Sequence, residues 1–183
     1  HDFSPSVGIS ISHMPTDRDF SIERIPLAYF ITFRAYGTWL HGTAGSVDRL
    51  HNRYGAPRLI ADAKRKKYNE GLLKQPPVEL NKWRRRVVLD AIKETCRIRK
   101  WELWESNIRT NHVHSVVTAP CKAKVVLNAL KANATRKMRE AGCWRSDLSP
   151  WVRRGSKRYL WTEKDLDAAI AYVKYDQGAP LPE

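Results

Sequence analysis

Cysteine is scarce in this chain of 183 residues: only Cys96, Cys121 and Cys143, widely spaced and without a C-x-x-C pair. That pattern argues against a disulfide framework and against a thiolate zinc site, and it suits a reducing cytoplasm. The three thiols read as core or boundary side chains. No run of 18 apolar residues occurs, which excludes a membrane-spanning helix. Internal repeats, low-complexity tracts and nucleotide-binding motifs are missing as well. Acids are few, with 19 Asp+Glu against 33 Lys+Arg and a formal charge of +14. Such an excess calls for a polyanionic partner, nucleic acid before anionic lipid. Lipid is the weaker choice, because no amphipathic anchor with a basic face stands apart from the rest of the chain.

What is present is a globular composition, 42% hydrophobic and 10% aromatic. A disordered polycation lacks that content. Residues 1–13 contain one acid and no Lys or Arg, and they end in Ser-His before Met14. They read as a cloning-site remnant ahead of a native start at Met14, and they lack the basic start of a signal peptide. Residues 14–183 then read as one domain.

Ala28–Arg34 (AYFITFR) reads as a central strand. Residues 36–77, rich in Gly and Pro with a basic run at Lys64–Lys67, read as a long irregular insertion. Val78–Lys100 has helical periodicity through Val87, Val88, Ala91, Ile92, Thr95 and Cys96. Trp101–Ser106 and His112–Thr118 read as a hairpin, and Lys122–Ala141 as a second amphipathic helix stopped by Gly142. Tyr159–Trp161 can form a short strand. Thr162, with Asp165 three residues on, caps a last helix running to about Gln177. The order β-α-β-β-α-β predicts an α+β fold of the ferredoxin-like split βαβ kind. Its antiparallel sheet carries two helices on one face, and a C-terminal helix is added.

His112-Val113-His114 lies inside a predicted strand, so both imidazoles leave the same face. That spacing suits two ligands of one divalent ion, although two polar residues on a solvent-facing strand would look the same. On the last helix, an inner stripe of Leu166, Ala169, Ile170, Val173 and Gln177 leaves Tyr172 and Asp176 together on one flank, one turn apart. Tyr175 falls on the opposite, exposed side. A helix laid across the open face of the sheet would carry one phenol and one carboxylate to the His pair. Taken alone, Tyr172 equally suits a boundary aromatic.

In order along the chain, several blocks resemble the HUH superfamily of single-tyrosine transposases, particularly the REP-associated tyrosine transposases. They are Tyr29–Arg34 with Gly37-Thr38-Trp39-Leu40, Asn111-His112-Val113-His114, Leu130-Lys131 with Thr135-Arg136, Gly155–Trp161, and Tyr172-Val173 with Gln177-Gly178. The resemblance implies a bacterial, DNA-associated enzyme that nicks and rejoins single-stranded DNA near hairpins. It implies Mg²⁺ or Mn²⁺ on His112 and His114, and Tyr172 as the nucleophile that forms a 5′-phosphotyrosine link. The family's third ligand is an Asn or Gln usually four residues after the tyrosine. Here that position is Asp176, with Gln177 as the competitor, and Asp176 has the better phase on a continuous helix. Relatives exist as monomers and as dimers that exchange tyrosine helices.

Basic clusters interleaved with seven tryptophans suit unpaired DNA beside a hairpin. Arg34, Lys131, Arg136, Arg153, Arg154, Lys157 and Arg158 are the candidate DNA contacts, while at least four of the tryptophans are expected in the core. The reading from another class is a non-catalytic nucleic-acid binder on the same fold, a repressor or RNA-binding protein. An H-x-H metallohydrolase on a β/α barrel is excluded by length, since that fold needs about 250 residues.

Overall fold

The computed structural model describes residues 25–43, 60–178 and 181. Residues 1–13 lie outside that set, as does the middle of the 36–77 segment.

Among the described residues, four strands form one antiparallel sheet in the order β2-β3-β1-β4. They are β1 (Ala28–Arg34), β2 (Glu102–Ile108), β3 (His112–Thr118) and β4 (Ser156–Leu160). Helices α2 (Lys82–Arg99) and α3 (Ala123–Glu140) cover one face, and α4 (Glu163–Tyr175) crosses the other. This is the α+β arrangement the sequence predicts.

Strand alternation separates two cores. Tyr29, Ile31 and Phe33 of β1 and Val113 and Val117 of β3 face α2 and α3, meeting Val88, Ile92, Val126 and Leu130 there. Ala28, Phe30, Val116 and Leu160 face the other way, towards Leu166, Ala169 and Val173 of α4. The smaller core fixes α4 on the sheet. Thr162 caps that helix as predicted, its Oγ1 accepting from the Asp165 amide at 3.1 Å.

Several boundaries differ from the sequence reading. Helix α2 begins at Lys82 because Asn81 caps it, accepting from the Arg84 amide at 3.0 Å. Val78 and Leu80 are buried but extended, and their amides donate to Tyr36 and Thr110 carbonyls. Strand β2 continues to Ile108. Strand β4 starts earlier than expected because Thr32 of β1 pairs with Ser156, and Trp161 lies past its end. The segment expected to be irregular holds a further helix, α1 (Ala63–Gly71), capped by Asp62. None of its residues is buried, so it carries no apolar stripe that periodicity could have revealed.

The tryptophan expectation also needs correcting. Trp101, Trp144 and Trp151 are buried, whereas Trp39, Trp83, Trp104 and Trp161 are exposed. Two of the buried indoles bond backbone carbonyls: Trp151 donates to that of Lys131 at 3.1 Å and Trp144 to that of Leu148 at 3.0 Å. The rest of the α2–α3 core is mostly aliphatic, with Tyr29 and Phe33, and Phe33 meets Trp151 edge-on at 4.9 Å. The cysteines behave as expected, with Cys96 and Cys143 buried and Cys121 half-buried. Burial pushes the Cys96 thiol up to about 11.

Candidate active site

Register places the chemistry-bearing residues. In the β1–β3 ladder Thr32 lies opposite His114, and Arg34 lies opposite His112. All four project from the α4 side of the sheet. His114 is only 8% exposed, beneath α4, so the pair does not lie on an open solvated face. The two imidazole centroids are 4.6 Å apart.

Each ring is held through Nδ1. The His112 Nδ1 is 2.6 Å from Asn111 Oδ1, a contact that fixes the orientation of the ring. The His114 Nδ1 pairs with the Thr32 hydroxyl at 2.7 Å, which leaves its Nε2 for another partner. Phe30 stacks on the His114 ring at 5.3 Å. Burial lowers the affinity of both imidazoles for protons, reinforced by Arg34 beside each, by Arg109 beside His112, and at His114 by the neighbouring His112. His114 falls to about 4, so it is neutral at physiological pH. Two neutral, oriented imidazoles are in the state that binds a metal.

Tyr172 comes to this pair from α4. Its ring is 5.8 Å from that of His114 and 5.9 Å from that of Phe30, both edge-to-face, while the side chain stays 42% exposed. Tyr175 is 70% exposed and points elsewhere, its ring beneath the Lys174 ammonium. Asn107 of β2 ties α4 down at this level, donating from Nδ2 to the Val173 carbonyl at 3.0 Å.

The end of α4 departs from a continuous helix. Asp176 is its C-cap, and Gly178 adopts a φ of 79°. Ending the helix after Tyr175 turns Gln177 away from the inner stripe. Its side chain hydrogen-bonds His112, and its Nε2 donates to the Tyr172 carbonyl at 3.0 Å. Asp176 remains exposed, and among the described residues no group of three His, Cys, Asp or Glu side chains is placed to hold a metal. The structure therefore brings Gln177 to the imidazoles, and not the Asp176 that helix phase favours. Two imidazole nitrogens and an amide oxygen form a neutral donor set that fits a divalent cation.

The candidate DNA contacts divide. Arg34 lies at the site, its guanidinium 4.2 Å above the Trp39 ring. Arg158 projects on the same side of β4, opposite Phe30, with Asp165 at 3.7 Å. Arg153, Arg154 and Lys157 are exposed on or just before that edge strand. Lys131 and Arg136 lie on α3, behind the sheet. Lys131 donates to the Val152 and Arg153 carbonyls at 2.6 and 3.2 Å, and Arg136 pairs with Glu94 and Glu140. Sequence reasoning missed Arg109, beside His112, together with the orienting roles of Thr32 and Asn107. A lone Arg in a hairpin turn carries no signal until register is known.

The model of the IS200-like transposase family matches residues 74–164, a span that includes His112 and His114 and stops before Tyr172. Among solved structures, the chain is similar to a REP-associated tyrosine transposase bound to a REP hairpin, at 13% identity and a TM-score of 0.48. That similarity covers 81% of this chain and 65% of the other, so the chain spans about two thirds of that protein. A candidate transposase from Deinococcus radiodurans R1 is similar at 14% identity and a TM-score of 0.41, over 91% of this chain and all of the other. No curated protein gives a significant match.

Proposed function

We propose, from the premise that this chain is an HUH/Y1 transposase-like protein, that it cleaves and rejoins single-stranded DNA through Tyr172. The observation that carries this reading is the convergence of two neutral imidazoles, each fixed through Nδ1, with a half-exposed phenol from a different element. His112, His114 and Gln177 would hold Mg²⁺ or Mn²⁺, which when bound supplies a positive charge that polarises the scissile phosphate. Arg34 and Arg109 add positive charge beside His112 and would hold phosphate oxygens and orient the strand.

Tyr172 Oη attacks phosphorus and the bond to the 3′-oxygen breaks. The phenolic proton passes to the departing oxygen or to solvent. A 5′-phosphotyrosine and a free 3′-OH result. Because the phosphoester energy is kept in that link, another 3′-OH can reverse the step without ATP. Packing Tyr172 against Phe30 and His114 limits where its hydroxyl can go, which is the positioning an in-line attack needs.

The test is covalent capture. With Mn²⁺ and hairpin-bearing single-stranded DNA, the protein forms an adduct stable to denaturant, lost in Tyr172→Phe and kept in Tyr175→Phe. DNA binding with no adduct under any metal would move the protein to the non-catalytic binder class.

A further inference from the structure

Among the described residues strand β4 is an edge of the sheet, and its end and the residue just past it carry an aromatic column that the catalytic reading does not use. Tyr159 and Trp161, two apart on one side of the chain, stack with centroids 5.9 Å apart and planes 13° from parallel. Tyr29 of β1 meets the Tyr159 ring edge-on at 5.3 Å and is itself buried, with its hydroxyl on the Cys121 carbonyl. The column therefore has a fixed inner end and an outer end at Trp161, and its two outer rings are 44% and 48% exposed. Placing this much aromatic surface in water is unfavourable unless something covers it.

We propose that Tyr159 and Trp161 form a stacking platform for an unpaired DNA base next to the phosphates held by the β4 edge. This rests on the single-stranded DNA reading above and deepens it by locating a base-binding surface. Charge complementarity selects the occupant. Arg153, Arg154, Lys157 and Arg158 precede or share the strand, and no acid occurs from Arg153 to Trp161. Glu163 and Asp165 follow in α4, with Asp165 pairing to Arg158. Planar apolar rings beside a run of cations match the two chemistries of a single strand, base and phosphate. A second copy of the chain fits poorly, because pairing two β4 edges would bring their Lys and Arg side chains together. Tyr159 and Lys157 project on the α2–α3 side of β4, whereas Ser156 and Arg158 project on the His112–His114 side, so platform and site lie on opposite faces that meet along the β4 edge.

The test is equilibrium binding in EDTA, read by fluorescence anisotropy of a labelled unstructured thymidine 12-mer and of the same backbone with abasic residues. Trp161→Ala is expected to weaken thymidine 12-mer binding about fivefold or more, the effect of removing one base–aromatic stack. Trp161→Phe stays within about twofold of the parent, and abasic binding is weak and indifferent to either change. Tyr159→Ala, which truncates the column from beneath, behaves like Trp161→Ala. Thermal melts of the variants separate unfolding from removal of the stack. Unchanged thymidine binding in Trp161→Ala overturns the proposal. So does an equal loss on the abasic strand, tighter binding of a uridine 12-mer, or a dimer that Trp161→Ala converts to monomer. If no Tyr172 adduct forms yet Trp161-dependent base binding holds, the cleavage reading fails and the platform stands.

Discussion

The imidazoles of His112 and His114 reach their metal-ready state through neighbours one and 82 positions away, Asn111 on the same chain segment and Thr32 across the ladder. Gln177 lies beside His112 only because α4 stops short of where periodicity would carry it. The third donor proposed above therefore depends on two residues, Gln177 itself and Gly178 in the turn behind it. Calorimetric titration of Mn²⁺ is expected to show Gln177→Ala losing about tenfold or more in affinity, while Asp176→Ala stays within about threefold. The reverse ranking would return the role to Asp176. Helix phase alone favours that carboxylate, because i,i+4 geometry assumes a helix that continues.

Elements meet tightly where β4 enters the sheet. A Cβ on Gly155 would lie 2.7 Å from the Thr32 carbonyl oxygen and 2.9 Å from Leu127 Cδ1. The leucine tip can shift, but the backbone oxygen belongs to the central strand and cannot move without disturbing the partner of His114. Gly155→Ala is expected to destabilise the protein by about 1–3 kcal/mol in urea denaturation, the usual cost of overpacking a well-filled site. It should also displace the start of β4, and with it Arg158, from the sheet. A variant as stable as the parent would show that β4 accommodates the methyl by sliding. Helix α4 is held less deeply, by Leu166, Ala169 and Val173, the Thr162 cap and the Asn107 tether.

Across the described part of the molecule the positive charge is divided between the two sides of the sheet. Arg136 is paired with Glu94 and Glu140 on the helix layer, Lys131 braces the segment before β4, and Arg99 covers Trp101 at 5.1 Å. Arg34 and Arg158 instead line the side of the sheet that holds the two histidines. Net charge alone does not distinguish these groups, but the salt dependence of DNA binding does. The slope of log K against log salt for a single strand is expected to fall by about 0.7 in Arg34→Ala, the change for one phosphate left without its cation. Arg136→Ala should leave the slope unchanged. An equal fall in both would mean that the helix layer also touches DNA. No described helix is long and apolar enough to cross a membrane.

Most of this fold was legible along the chain. Alternation in AYFITFR and HVHSVVT, the periodicity of α2 and α3, and the Thr162 cap are local patterns that each element must satisfy whatever its neighbours do. The common face of His112 and His114 follows in the same way, from the two-residue repeat of a strand. The place of Gln177 beside His112, the place of Arg109, the exposure of four tryptophans and the solvent-clad helix α1 were not legible. Each depends on where a chain end turns or which surface another element leaves uncovered, and no periodicity records that. Sequence by itself determined which residues share a face; the tertiary structure decided which faces meet, because packing and register bring together groups that lie far apart along the chain.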